Sequence, residues 1–197
     1  MQTYPLPRRM VRSVIVLVLA ICTLLSVRSR HRHRPTGHES FGHFTARQMF
    51  AQTAPICQEV LPGSDNLQLV AVPLAPYSLD GSVRRFWEVD CLDGKREELA
   101  FFWWDADTGL LNHFTRCLPV AAASPSRHLT GATAAERARH WIERVGWGPG
   151  SQWQVCRPPR LAAGEWIVLL GNKTRRIRIH MDAESGIMMR LYDRTGH

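Results

Sequence analysis

A short turn sequence occurs twice in this chain, and it constrains the fold more than any other feature. Residues 105–109 read D-A-D-T-G and residues 182–186 read D-A-E-S-G, so both follow the pattern D-A-[DE]-[ST]-G. Each copy lies between two strand-like segments, which is the setting of a hairpin turn. Two such turns at matching places indicate that residues 44–193 contain an internal duplication.

Each copy of the duplicated unit begins with a predicted helix. A capping-box pattern precedes the first helix at Thr45 and Gln48, and a second one occurs at Thr133 and Glu136. The first helix should continue to about Val60. Apolar residues at helical spacing follow both patterns, so each helix should bury one face.

Four strand-like segments follow each helix. They are residues 67–72, 86–92, 98–104 and 110–117 in the first copy, and 153–156, 166–170, 176–181 and 187–192 in the second. Alternation of apolar and polar residues predicts which side chains face the core. The predicted core residues are Trp87, Val89, Cys91, Leu99, Phe101 and Trp103 in the first copy, and Trp166, Val168, Leu170, Ile177, Ile179 and Met181 in the second. Arg176, Arg178 and His180 should point outward.

The order of these elements resembles the PepSY-type domains of exported bacterial proteins. The shared features are a helix before an antiparallel sheet, a tryptophan early in one strand and a D-x-x-[ST]-G turn before the last strand. The resemblance covers most of residues 44–193 as two tandem copies. It implies binding or inhibitory roles, often toward peptidases or as an extracytoplasmic sensing module, and it implies no catalytic residues.

The expected fold is therefore α+β, with two repeats of a helix packed on an antiparallel β-sheet behind an N-terminal hydrophobic helix. The predicted boundaries are 1–27 for a signal anchor or signal peptide, 28–43 for a basic His/Arg-rich linker, 44–118 for the first unit, 119–132 for a linker and 133–197 for the second unit.

An apolar run near the N-terminus predicts an extracytoplasmic protein. Residues 14–27 contain no charge and have arginines on both sides. The run is short for a transmembrane helix, which needs roughly 17–25 apolar residues, and its length also fits a secretory signal. No small-x-small cleavage site follows it, so we expect an uncleaved single-pass anchor, with a secreted or periplasmic product as the alternative. Residues 8–34 should then contact membrane lipid.

The charge distribution argues against nucleic-acid binding. The chain has a net charge of +8, but seven of its 25 basic residues and none of its 17 acidic residues lie in residues 1–34. The remainder carries 18 basic and 17 acidic residues and is close to neutral. A nucleic-acid-binding domain usually concentrates basic residues on one face of the folded part.

The sequence offers weak support for enzyme chemistry, cofactors or metals. Asp107-Thr108-Gly109 matches the D-T-G of aspartic proteases, but the same residues are favoured in tight turns, and the second copy has Glu184 in place of the second aspartate. The histidines at 31, 33, 38 and 43 lack interleaved acidic or cysteine ligands, so a solvated linker is favoured over a metal site. We predict no cofactor and no small-molecule substrate.

Two sets of residues leave alternatives open. Cys57, Cys91, Cys117 and Cys156 allow two disulfides in three connectivities, or free thiols. Trp104, Trp147 and Trp153 are a candidate interaction surface if they are exposed, with a second packed layer or a contact between the two copies as the alternative.

The function that fits these features is non-enzymatic. We expect an envelope module that binds or inhibits a protein or peptide, often a peptidase, through an exposed sheet face or edge. The alternatives are an accessory domain of a hydrolase, or a weak hydrolase, that uses the turn at Asp105 and Asp107, and a structural scaffold tethered at the membrane.

Overall fold

The computed structural model describes residues 41–64, 66–79, 82–117 and 129–194. The helices in this part are α1 (Ala46–Val60) and α2 (Gly131–Arg144). The strands are β1 (Gln68–Pro73), β2 (Tyr77–Leu79), β3 (Ser82–Arg84), β4 (Phe86–Leu92), β5 (Glu98–Asp105), β6 (Leu111–Arg116), β7 (Gln154–Val155), β8 (Arg160–Ala162), β9 (Glu165–Gly171), β10 (Arg176–Asp182) and β11 (Met188–Asp193). A 3₁₀ turn, Gly150–Gln152, precedes β7.

Nine of the strands form one antiparallel sheet, which confirms the predicted α+β class. Its order is β1-β4-β5-β6-β11-β10-β9-β7, with β8 paired to β9. β2 and β3 form a separate hairpin within the long connection from β1 to β4, and neither they nor β8 were predicted. The hairpin was missed because its strands have only three residues each.

The two copies join through the last strand of each, β6 and β11. Phe114 on β6 lies directly opposite Leu191 on β11. Leu191 follows Phe114 by 77 residues, as Asp182 follows Asp105, so equivalent residues of the two copies meet at the joint. The sheet therefore has a pseudo-two-fold axis between β6 and β11, and the units share one continuous sheet.

Each helix begins at a threonine N-cap. Thr45 forms the predicted capping box with Gln48. The second helix begins earlier than predicted: its N-cap is Thr130, whose side chain accepts the backbone N–H of Thr133. The predicted cap at Thr133 with Glu136 was wrong because a second threonine three residues upstream offers the same hydroxyl to the first free N–H groups.

Both helices cover the same face of the sheet, and the core lies between them and that face. Residues opposite one another on neighbouring strands point to one face. One such row consists of side chains with no exposed area: Val89, Phe102, Phe114, Leu191, Ile179 and Val168. Trp104 in unit 1 contacts α1, and Trp141 of α2 contacts the turn before β11 in unit 2. Buried residues from both units form one hydrophobic cluster.

The predicted core face of β5 was wrong beyond Leu99. The buried residues of this strand are Leu99, Ala100, Phe102 and Trp104, whereas Phe101 and Trp103 are half-buried on the opposite face. A bulge is the cause: Cys91 pairs with Ala100 and the next pair skips Leu99, so the alternation restarts one residue later.

The predicted N-terminal hydrophobic helix and the linker up to residue 40 lie outside the described residues. Among the helices that are described, neither is long and apolar enough to cross a membrane.

Candidate interaction surface

The duplicated turn residues form their own hydrogen bonds. Asp105 Oδ1 accepts the backbone N–H groups of Asp107 at 3.0 Å and Thr108 at 2.8 Å. Gly109 has a φ of +69°, a value that favours glycine. The second copy repeats the arrangement with Asp182, Glu184, Ser185 and Gly186. The motif residues Asp105, Gly109, Asp182 and Gly186 thus build the turns.

A tryptophan attaches each turn to the start of its helix. In unit 1, Trp87 Nε1–H donates to the carbonyl of Phe44 at 2.8 Å. The N–H of Phe44 donates to the carbonyl of Ala106 in the turn at 3.0 Å. This explains why the tryptophan and the turn occur together in each copy. The corresponding residues of unit 2 are Trp166, Leu129 and Ala183, with distances of 3.1 and 2.9 Å.

The carboxylates considered for hydrolysis are both engaged. Asp105 accepts the turn hydrogen bonds, and Asp107 forms an ion pair with Arg85 at 2.5 Å (Nη2 to Oδ1). A depression of about 570 Å³ lies at the far side of unit 2 beside Cys156 and Lys173, and its lining includes neither aspartate.

Trp104, Trp147 and Trp153 do not form an exposed surface, which corrects the expectation for them. They are 1%, 8% and 1% exposed. Trp104 donates to Thr53 on α1 at 2.9 Å, and Trp147 donates to the carbonyl of Leu111 in the other unit at 2.9 Å. Trp153 donates to the carbonyl of Trp147 at 3.3 Å. Their roles are packing and contact between the copies.

The face of the sheet away from the helices carries the candidate site, and we call it the open face. Two rows of directly opposed residues cross it from β4 to β9. The first is Glu88, Trp103, His113, Tyr192, Arg178 and Leu169; the second is Asp90, Phe101, Thr115, Arg190, His180 and Ile167. All twelve side chains are half-buried.

Aromatic rings form a continuous row in the middle of the open face. His113 stacks on Phe101 with ring centroids 5.4 Å apart and an interplanar angle of 7°. Trp103 and Tyr192 lie 5.0 and 4.9 Å from His113 on either side. His180 continues the row with an edge contact to Tyr192 at 5.8 Å. The rings thus span β5, β6, β11 and β10, across the joint between the units.

Hydrogen bonds fix both ends of this aromatic row. Trp103 Nε1–H donates to Glu88 at 2.6 Å, and the His180 ring pairs with Glu165 at 2.9 Å. Burial lowers the pKa of His113. The pKa of His180 is also lowered by burial, although Glu165 partly offsets that shift. Both rings therefore favour the neutral form, which suits contacts with other aromatic groups.

Charge divides the open face between the units. The acidic residues Glu88 and Asp90 lie on β4 of unit 1. The strands β10 and β11 of unit 2 present the arginines Arg176, Arg178 and Arg190 beside His180, whose ring favours the neutral form. The alternation in β10 correctly predicted that Arg176, Arg178 and His180 point away from the core. The aromatic row was missed because the bulge at Leu99 reversed the facing of Phe101 and Trp103.

The four cysteines of the described residues are free thiols in this structure. Cys57 and Cys91 are buried beside one another, whereas Cys117 and Cys156 are exposed. The hydrogen bond between the buried thiols, together with burial, raises the pKa of Cys57. Within the described residues, no group of three His, Cys, Asp or Glu side chains could hold a metal ion. Of the linker histidines, only His43 is among them.

The fold defines a class of α+β protein in which two copies of a helix-on-sheet unit share one sheet, with both helices of the described residues on the same face of it. The C-terminal domain of YpeB from Bacillus megaterium has a similar fold, with a TM-score of 0.55 and 9% identity. The match covers 77% of this chain and 63% of that structure, so the chain spans less than two thirds of it. No protein-family model matches the chain, and no curated protein matches its sequence.

Proposed function

We propose that this protein is a non-enzymatic envelope module that binds a protein or peptide partner on its open face. The observation that carries the proposal is the aromatic row of Trp103, Phe101, His113 and Tyr192 on a sheet face that neither helix covers. Large aromatic side chains bury much apolar area with few rotatable bonds, and they are enriched in protein interfaces. A broad face with aromatic residues at its centre and charges around it fits a polypeptide partner.

Two further observations support an envelope role. In both units a tryptophan, Trp87 or Trp166, bonds to the residue before the N-cap of the helix, and the D-x-x-[ST]-G turn precedes the last strand, as in the PepSY-type pattern. We propose that the chain contains two tandem, divergent PepSY-type copies. The similar fold of the YpeB C-terminal domain agrees with that assignment. A peptidase-inhibitory role is the form of binding that the resemblance suggests. The apolar run of residues 14–27 would hold the module outside the cytoplasm, either as an anchor or as an export signal.

The non-enzymatic part of the proposal is supported by the engagement of Asp105 and Asp107. Two catalytic carboxylates would have to share a proton or face a substrate. Here Asp105 accepts backbone N–H groups within its own turn, and Asp107 is paired with Arg85. These contacts account for both side chains without catalysis.

Site-specific photo-crosslinking in the producing cells tests the proposal. A benzophenone amino acid at Tyr192 would probe the open face, and the same group at the exposed Gln58 of α1 would serve as the control. We expect a discrete protein adduct from position 192 in the membrane or envelope fraction and none from position 58. Identical adducts from both positions, or none from either, would contradict a binding role for the open face. The absence of adducts would favour the scaffold alternative.

A further inference from the structure

A cluster of arginines occupies the basic end of the open face. Arg178 on β10 lies directly opposite Tyr192 on β11. Arg194 follows β11, and its backbone N–H donates to the carbonyl of Arg176 at 2.7 Å, so it extends the same pair of strands. Arg157, in the loop after β7, lies close enough to Arg178 to affect its pKa. Arg194 is two residues beyond Tyr192, the direct partner of Arg178, so Arg178 and Arg194 lie on the same face of this strand pair beside the aromatic row.

These arginines lack acidic partners within the described part of the chain. Glu165 on β9 is shared by His180 and Arg190 at 2.9 and 3.4 Å, and Asp193, next to Arg194 in the chain, pairs with Arg175 at 3.1 Å. The Nε atoms of Arg178 and Arg194 are buried and make no hydrogen bond. Burial, followed by the charges of Arg194 and Arg157, lowers the pKa of Arg178. Crowded, partly desolvated positive charges without a partner are costly, and such a cost points to a functional site.

We propose that Arg178 and Arg194 form an anion site that binds the carboxylates of an acidic protein segment lying across the open face. The proposal rests on the open face being a binding surface, and it names the chemistry of the partner. The planar fork of an arginine side chain matches a carboxylate, and an anion between the two groups would relieve their repulsion.

The surroundings favour an acidic polypeptide over a lipid headgroup. From Arg178 the first row continues through Tyr192 and His113 to Trp103, three strand spacings or about 14 Å away. An extended segment of about four residues spans that distance and can offer acidic and apolar side chains in turn. Insertion of this surface into a membrane would instead require exposed apolar groups. The exposed large apolar side chains of the described residues lie on β1, β3 and β8, at Val70, Val83 and Leu161.

Titration with a short synthetic peptide that alternates Glu and Tyr tests the proposal. The full-length protein in detergent micelles is compared with the double variant Arg178→Gln/Arg194→Gln. A second double variant, Arg47→Gln/Arg137→Gln, removes the same charge from exposed positions on α1 and α2 and is the matched control. A Lys-Tyr peptide controls for the sign of the charge. All proteins keep the arginine-rich N-terminus, so its attraction for acids is common to every comparison.

We expect Arg178→Gln/Arg194→Gln to weaken binding of the acidic peptide about tenfold or more, since each replaced group loses charge-assisted hydrogen bonds. The control should bind as the wild type does. The thermal midpoint of Arg178→Gln/Arg194→Gln should not fall, because the substitution removes repulsion; this outcome separates lost binding from unfolding. Arg178→Lys keeps the charge without the fork and should also weaken binding.

Three results would overturn the anion site. If both double variants bound the acidic peptide equally weakly, the binding would be a general attraction between opposite charges and not the work of a specific site. Binding of phosphate-bearing vesicles at these arginines without peptide binding would assign the site to lipid. If the wild-type protein did not bind the acidic peptide, the proposed anion site would be wrong. If the Tyr192 adduct persists in Arg178→Gln/Arg194→Gln, only the anion site fails; if no adduct forms in the wild type either, the proposed function itself fails.

Discussion

The two units have matching strand orders within the sheet, but the side chains that they place on the open face differ in chemistry. Alignment of the two turns, which are 77 residues apart, makes Phe101 and Trp103 of unit 1 equivalent to Arg178 and His180 of unit 2. The outer strand shows the reverse exchange, since the acids Glu88 and Asp90 correspond to Ile167 and Leu169. Unit 1 is therefore aromatic and acidic on this side, whereas unit 2 is basic and partly aliphatic.

The helix-facing side did not diverge in the same way. Val89 and Val168 are equivalent and identical, and Phe114 and Leu191 are equivalent, apolar and fully buried. Close packing restricts which side chains fit a core, whereas positions away from the helices are free of that restriction. The duplicated unit therefore supplies the scaffold, and the two copies differ in chemistry mainly on the open face.

The largest expected loss of stability is at the joint between the units. Phe114→Ala should destabilise the protein by about 3–5 kcal/mol, because it removes a fully buried aromatic ring at the pseudo-two-fold axis. Since both units share one sheet and one core, we expect a single unfolding transition in urea, followed by tryptophan fluorescence and far-UV circular dichroism together.

The exposed Val83, at 70% relative exposure, provides the control for the joint. Val83→Ala should change the free energy of unfolding by less than about 0.5 kcal/mol. Two separate transitions in Phe114→Ala, with one left at its wild-type midpoint, would show that the units unfold independently and that the joint contributes little.

How far the sequence could predict this fold depends on the range of the interactions involved. The helix start at Thr45, strand β4 and the two duplicated turns depend on neighbouring residues, and their patterns predicted them. The joint depends on pairing between strands far apart in the chain. Local alternation carries no signal for the pairing of β6 with β11.

The open face was only half predictable for the same kind of reason. The regular alternation in β10 correctly placed Arg178 and His180 away from the core. In β5 the bulge at Leu99 reversed the facing of Trp103, and a bulge depends on the partner strand. Trp147 was ambiguous because its ring donates a hydrogen bond to Leu111 in the other unit, a contact that local sequence does not reveal.

The two turns should differ by a smaller amount in how much an alanine substitution lowers the free energy of unfolding. Gly109 and Gly186 share a φ of +69°, so alanine at either position should cost about 1–2 kcal/mol in backbone strain. At Gly109 the new Cβ would also lie 2.5 Å from the Phe44 ring, whereas at Gly186 the nearest atom is a terminal carbon of Leu129 at 3.0 Å. Gly109→Ala should therefore cost about 1–3 kcal/mol more than Gly186→Ala, measured by urea unfolding.

Gly63→Ala provides the reference for strain alone. Gly63 has a φ of +78°, and no atom of the described residues lies within 4 Å of the added Cβ. Its cost should match that of Gly186→Ala more closely than that of Gly109→Ala. Equal costs at Gly109 and Gly186 would mean that the aromatic ring at Phe44 yields as easily as the leucine at Leu129, and the units would then differ only on the open face.

The smallest expected effect concerns the two histidines of the open face. Burial lowers the pKa of His113, and it lowers that of His180 despite the opposing influence of Glu165. As the pH falls, these histidines therefore bind protons at a higher pH in the unfolded chain than in the folded state. This contribution to stability is fully present above the unfolded value of about 6.5 and is lost as the pH falls through that value toward the lower folded-state pKa.

Urea midpoints measured between about pH 7.5 and pH 5 should therefore fall with pH in the wild type and fall less in His113→Gln. His180→Gln should flatten the curve less, because Glu165 offsets part of the burial at that position. A steeper pH dependence in His113→Gln, or no change from the wild type, would show that His113 is not desolvated in the aromatic row. If His180→Gln gave the larger change, unit 2 rather than unit 1 would hold the more strongly desolvated histidine, and the division between an aromatic and a charged half would have to be redrawn.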